Sequence, residues 1–208
     1  MSAQRDRQLA TLPGRPALIV VDVQRDFAEP ERIAGYDPDL GAVAKAVEGT
    51  AEAVRAARAA GVPVIWVELG SDPAHPWRAS DWFQGIEPAE NPCVVGTEGA
   101  EWYGVTPEPG ETRVVKRGYS GFVGTDLEQR LMVLGTGWLA VCGLTTECCV
   151  AATVVDAFQR DYPVLVPRDA VAAYDPAVNA AALTQLELTA AVLTDNAELA
   201  GLFQGATA

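Results

Sequence analysis

Short apolar runs rich in β-branched residues alternate along the chain with longer stretches whose apolar residues recur every three or four positions. Residues 17–23 (ALIVVDV), 62–69 (VPVIWVEL), 138–142 (WLAVC), 163–166 and 191–194 read as strands, with a shorter one at 113–116. Between them, residues 40–60 carry Val43, Val47 and Val54 among alanines and charges, the pattern of a helix, which Gly61 ends. Further helices are predicted at 125–134, stopped by Gly135, and at 147–161 and 177–190. Strands that are apolar nearly throughout and alternate with helices predict a sheet buried on both faces. The expected fold class is α/β: a three-layer α-β-α arrangement with a mostly parallel, doubly wound (Rossmann-like) sheet. Such sheets bind ligands at the carboxyl ends of their strands, where Asp22, Lys116 and the segment after Cys142 fall.

Residues 70–110 break the alternation. They are rich in proline, glycine and tryptophan (Trp77, Trp82, Trp102), and a connection this long in a compact domain reads as a binding loop or lid. With no repeat or linker in view, residues 1–208 read as one domain, a length that suits one core better than two.

Composition narrows the function. The 208 residues carry a formal net charge of −13 and no cluster of Lys and Arg, so a nucleic-acid partner is not expected. No apolar run reaches the roughly 18–20 residues of a membrane span, so no membrane partner is expected. Residues 1–11 are polar and lack the apolar segment of a secretory signal. Together with cysteines that show no disulfide framework, this points to the cytoplasm. The first strand is followed by Asp22-Val-Gln-Arg-Asp-Phe27, not by a glycine-rich phosphate turn, so no nucleotide cofactor is expected. A single histidine, His75, and the absence of a CxxC pair speak against a zinc cluster, and no metal or other cofactor is assigned.

The densest chemistry lies in Val141-Cys-Gly-Leu-Thr-Thr-Glu-Cys-Cys-Val150, an apolar strand, a small-residue turn and a helix start. A thiol in the first turn of a helix meets unpaired N–H groups and the positive end of the dipole, which favours thiolate. The alternative is that Cys148 and Cys149 are small core residues. Lys116 ends an apolar strand; it is either a surface lysine or a cation placed to stabilise a thiolate. Asp22 ends another, as a turn cap or as a general base.

Three blocks in order resemble the isochorismatase-like cysteine hydrolases, a family that includes nicotinamidases, N-carbamoylsarcosine amidases and ureidoacrylate and biuret hydrolases. They are Asp22-Val-Gln-Arg-Asp-Phe27; Lys116-Arg-Gly-Tyr-Ser-Gly-Phe122 with Gly124-Thr-Asp-Leu127; and Gly143-Leu-Thr-Thr-Glu-Cys-Cys-Val150 with Thr153. The resemblance spans about residues 15–200. It implies a catalytic triad of Asp22, Lys116 and Cys149. The family's nucleophile lies six residues after the motif glycine and directly before a valine, which selects Cys149 over Cys148. The resemblance also implies a cis peptide between Leu144 and Thr145, and an oxyanion hole formed by the backbone N–H groups of Thr145 and Cys149. Phe27, Tyr119 and Leu144 match positions at the substrate pocket; core packing is the plainer reading of Phe27 and Tyr119. Arg117, next to the lysine, should face away from it by strand alternation. A homodimer or homotetramer is implied as well.

The implied activity is hydrolysis of a small amide, carbamoyl or ureido C–N bond through a thioester. Nicotinamidases hold a metal with an aspartate and several histidines after the second strand. Here that region offers only Glu68, Asp72 and His75, a weak oxygen-rich site at most. Isochorismatases proper have a small residue where Cys149 stands. Two alternatives remain: metal-assisted nicotinamide or pyrazinamide hydrolysis, and a catalytically idle binding or assembly protein.

Overall fold

A computed structural model describes residues 2–207; the two end residues of the 1–208 span lie outside it. The elements in order are α1 (Ser2–Ala10), β1 (Arg15–Val21), α2 (Arg25–Ala28), α3 (Pro30–Ile33), α4 (Leu40–Ala59), β2 (Val64–Leu69), α5 (Arg78–Gln84), β3 (Thr112–Lys116), α6 (Leu127–Leu134), β4 (Thr136–Leu144), α7 (Ala151–Phe158), β5 (Val164–Pro167), β6 (Val171–Ala172), α8 (Pro176–Thr189), β7 (Val192–Thr194) and α9 (Asn196–Thr207). The sheet runs β3-β2-β1-β4-β5-β7, with β6 beside the end of β4, and the strand pairs are parallel.

Alternation along β1 assigns its side chains to two cores. Leu18 and Val20 pack with α4 and α9, whereas Ala17, Ile19 and Val21 pack with α6, α7 and α8. This is the expected three-layer architecture. On α4 the buried positions Val43, Ala46, Val47, Thr50, Ala53, Val54 and Ala57 follow the 3–4 spacing of one helical face. Asp39 caps that helix by accepting from the Ala42 N–H at 3.0 Å.

Five helices, α1, α2, α3, α5 and α9, fall outside the predicted elements, and α1 and α9 are the longest of them. The apolar content of α9 is interrupted by Gly201 and Gly205, yet Leu199 and Phe203 sit one turn apart on its inner side, and Phe203 stacks on Trp138 with centroids 5.8 Å apart. The polar α1 is held by a charge, Arg5, which donates to the Leu193 carbonyl and pairs with Glu198. The 70–110 segment contains α5 and short turns of 3-10 helix, anchored by bridges Gln24–Trp102 and Ser71–Val94. No helix among the described residues is long and apolar enough to cross a membrane.

The chain turns from β1 to β2 and β3 on one side and resumes with β4 on the other, so the order reverses between β1 and β4. Register aligns the strand ends: Val21 lies beside both Val67 and Gly143, and Leu69 beside Lys116. Gly143 is required where β4 meets β1, because it has φ +119° and a Cβ there would overlap the Val21 carbonyl. A switch point of this kind leaves a crevice at the carboxyl ends of the strands.

Candidate active site

Asp22 immediately follows β1 and adopts a left-handed conformation, φ 49°. Aspartate tolerates that region better than most residues, and outliers of this kind gather at functional sites. Its carboxylate Oδ2 lies 2.6 Å from Lys116 Nζ, with both side chains fully buried. The lysine ammonium also donates to Cys149 Sγ at 3.4 Å and to the Gly118 carbonyl at 3.0 Å. Its three protons therefore face one carboxylate, one sulfur and one carbonyl, which accounts for its donors.

Burial opposes the Lys116 charge, but Asp22 and Cys149 outweigh it and raise the ammonium's pKa. Burial pushes the Asp22 carboxyl up as well, against the pull of Lys116. The Cys149 side chain also faces the carboxylate and, with Lys116, pulls its pKa down without offsetting burial.

The thiol departs from expectation. Cys149 does not sit in a regular first turn of α-helix but in a π-helical turn, Thr146–Val150, that precedes α7. The adjacent Cys148, burial and the Asp22 carboxylate raise its pKa, and Lys116 only partly opposes them. The lowering of a thiol pKa expected of a helix start is not found at Cys149, where the neighbouring groups and burial act the other way.

Cys149 opens onto a cavity of about 460 Å3, a volume ordinary for a small-molecule site. Phe27, Tyr119, Leu144, Thr145 and Cys148 line it too, whereas Asp22 and Lys116 lie behind the thiol. The Leu144–Thr145 peptide is cis. Glu68 is separate from this space: it accepts from Trp102 Nε1 at 2.9 Å and pairs with Arg113. Asp72 and His75 pair with each other at the cavity wall, Oδ2 to Nδ1, at 2.7 Å. Among the described residues no three His, Cys, Asp or Glu side chains converge as a metal site.

The isochorismatase domain matches residues 16–198 of this chain. The chain belongs to that family. A ureidoacrylate amidohydrolase RutB of Methylobacterium radiotolerans is 33% identical over 201 residues, covering 88% of this chain and 77% of the relative. A cysteine hydrolase from Pseudomonas syringae pv. phaseolicola superposes with a TM-score of 0.81 at 28% identity, over 92% of this chain and 93% of that one. An N-carbamoylsarcosine amidase from Thermoplasma acidophilum gives 0.72 at 28% identity, over 88% and 96%.

Within this isochorismatase-family hydrolase, the supporting contacts of Gln24 and Thr153 escaped sequence reasoning, although both residues lie in the matched blocks. Buried Gln24 donates to the Leu69 and Ala100 carbonyls at 3.0 and 2.9 Å and accepts from the Leu69 N–H at 2.9 Å, tying the ends of β1 and β2 to the 70–110 segment. A polar residue directly after a buried strand was the available signal. Thr153 donates to the Cys149 carbonyl at 2.8 Å and accepts from the Gly121 N–H at 3.0 Å, joining the thiol's turn to the loop after Lys116. Arg117 follows the last residue of β3 and is exposed, whereas Lys116 is buried. Arg117 lines the same cavity as Cys149 and donates to the His75 carbonyl.

Proposed function

We propose that this protein hydrolyses a small amide, carbamoyl or ureido C–N bond through a thioester on Cys149. The observation that carries the reading is the buried Lys116 ammonium, 2.6 Å from Asp22 and 3.4 Å from a sulfur that opens onto a ligand-sized cavity. Asp22 takes the thiol proton as sulfur attacks the carbonyl carbon, and Lys116 stabilises the emerging thiolate. The N–H groups of Thr145 and Cys149 receive the oxyanion. As the C–N bond breaks, protonated Asp22 returns its proton to the leaving nitrogen. Water, deprotonated by the same carboxylate, then cleaves the thioester and restores the thiol. Phe27, Tyr119 and Leu144 shape the space around the substrate.

The names of the relatives support the substrate class, since ureidoacrylate and N-carbamoylsarcosine both present a ureido-type nitrogen. We place this activity in the cytoplasm, in keeping with four free cysteines, and in a homodimer or homotetramer. An ammonia-release screen over small amides, carbamoyl amino acids, biuret and ureido acids tests the function. At least one class should release ammonia with the native protein and not with Cys149→Ala; release at equal rates by both would contradict the proposal.

A further inference from the structure

The charges facing the cavity are unequally committed. Asp72 is spent locally, accepting from His75 Nδ1 at 2.7 Å and from the Ala74 N–H at 2.9 Å. Glu90 accepts from the Glu87 N–H at 2.8 Å, closing a turn of its own. Arg117 differs: its guanidinium donates to the His75 carbonyl, acts on Asp72 only through its field, and makes no direct ion pair with another described residue. A guanidinium carries five N–H donors in a planar fork, a geometry matched to a carboxylate. The backbone that carries it is held against the cavity wall. The Trp77 ring lies against Gly118 and meets Tyr119 edge to face, with centroids 5.1 Å apart, so the 75–77 segment is clasped to residues 117–119. Arg117 is also one residue from Lys116, which reaches the nucleophilic sulfur.

We infer that Arg117 is the residue that selects substrates bearing a carboxylate, so that the class taken by this site is the ureido or carbamoyl acid and not the neutral amide. This rests on the amidohydrolase reading above and deepens it. The reacting carbonyl sits at Cys149 while the distal carboxylate takes the free donors of the Arg117 fork.

The test compares 3-ureidopropionate with butylurea, a neutral ureide of similar length, in native protein, Arg117→Met and Arg117→Lys. For the acid, Arg117→Met should raise KM about 10- to 100-fold with little change in kcat, the range expected of a lost hydrogen-bonded charge contact. Arg117→Lys should recover part of that loss, and butylurea should be indifferent to both changes. Equal effects on acid and neutral ureide, or no effect on either, would overturn the assignment. Calorimetric binding of both compounds to Cys149→Ala protein, with and without Arg117→Met, gives a readout that needs no turnover. Binding of the acid that depends on Arg117 supports the inference even if ammonia is never released, an outcome that would count against the amidohydrolase reading alone. Binding indifferent to Arg117 overturns the inference and leaves that reading standing.

Discussion

At the carboxyl edge of the sheet Asp22 and Lys116 are fully buried and joined at 2.6 Å, whereas on α5, in the segment that walls the cavity, Trp82 and Phe83 stand 84% and 74% exposed. Both regions serve one cavity on different physical terms. The strand edge places charges where water is excluded, so each must have a partner and any loss is costly. The 70–110 wall is secured from below by Gln24 and Asp26 and presents its outer aromatic surface to solvent. Buried, paired charges tolerate little change and an exposed wall tolerates more, a division common where rigid sheets carry variable loops.

The largest effect expected of that contrast is at the thiol. Cys149→Ala should lower kcat by about 10⁴- to 10⁶-fold, as loss of a nucleophile does elsewhere. Cys148→Ala, which removes a cavity-wall side chain and a neighbour that raises the Cys149 pKa but not the attacking sulfur, should keep a substantial fraction of turnover. The reverse pattern would place the nucleophile one residue earlier.

Behind the thiol, Lys116→Met strands a buried carboxylate and should cost about 3–5 kcal/mol in urea unfolding. Lys116 opposes the rise of the Cys149 pKa, so the same variant should alkylate more slowly with iodoacetamide at pH 7. Native-like stability together with native-like alkylation would detach Lys116 from both roles.

The wall should respond less. Gly99→Ala would push a Cβ into the Asp26 carboxylate, which accepts from the Cys93 N–H at 2.7 Å and pairs with Arg32 at 3.0 Å. The expected cost is about 1–3 kcal/mol, again from urea unfolding. The outer surface is predicted to be softest, with Trp82→Ala changing stability by no more than about 0.5 kcal/mol. A larger loss would show that Trp82 is not free surface in solution and would fit burial against a second copy of the chain.

The same contrast explains what could be read in advance. Asp22, Lys116 and Cys149 were candidates by their place after apolar runs, the family resemblance singled them out, and the fold brings their side chains together. Parallel order followed from alternation of elements. The helix α9 was obscured by two glycines in a short run, and α1 is held by Arg5 contacts that no local pattern announces. The π-helical turn at Thr146–Val150 was not legible either, since its residues also suit an ordinary helix start. That mattered most for the thiol, whose pKa is raised by Cys148, burial and Asp22.

The central claim is that Asp22 carries the proton between thiol and leaving nitrogen while Lys116 stays charged. Paired pH profiles of turnover and iodoacetamide alkylation, in native protein and Asp22→Asn, test it most directly. Because burial raises the Asp22 pKa, native kcat/KM should fall on acidification through a pKa above the usual carboxylate value of about 3.9. Native alkylation should rise with pH toward a thiol pKa above the usual value of about 8.5. In Asp22→Asn a charge that raised the thiol is gone, so alkylation should persist with its midpoint shifted to lower pH. Turnover should nevertheless drop by at least about 10²- to 10⁴-fold, because nothing protonates the leaving nitrogen. Near-native turnover by Asp22→Asn, with the acid limb unchanged, would contradict the account.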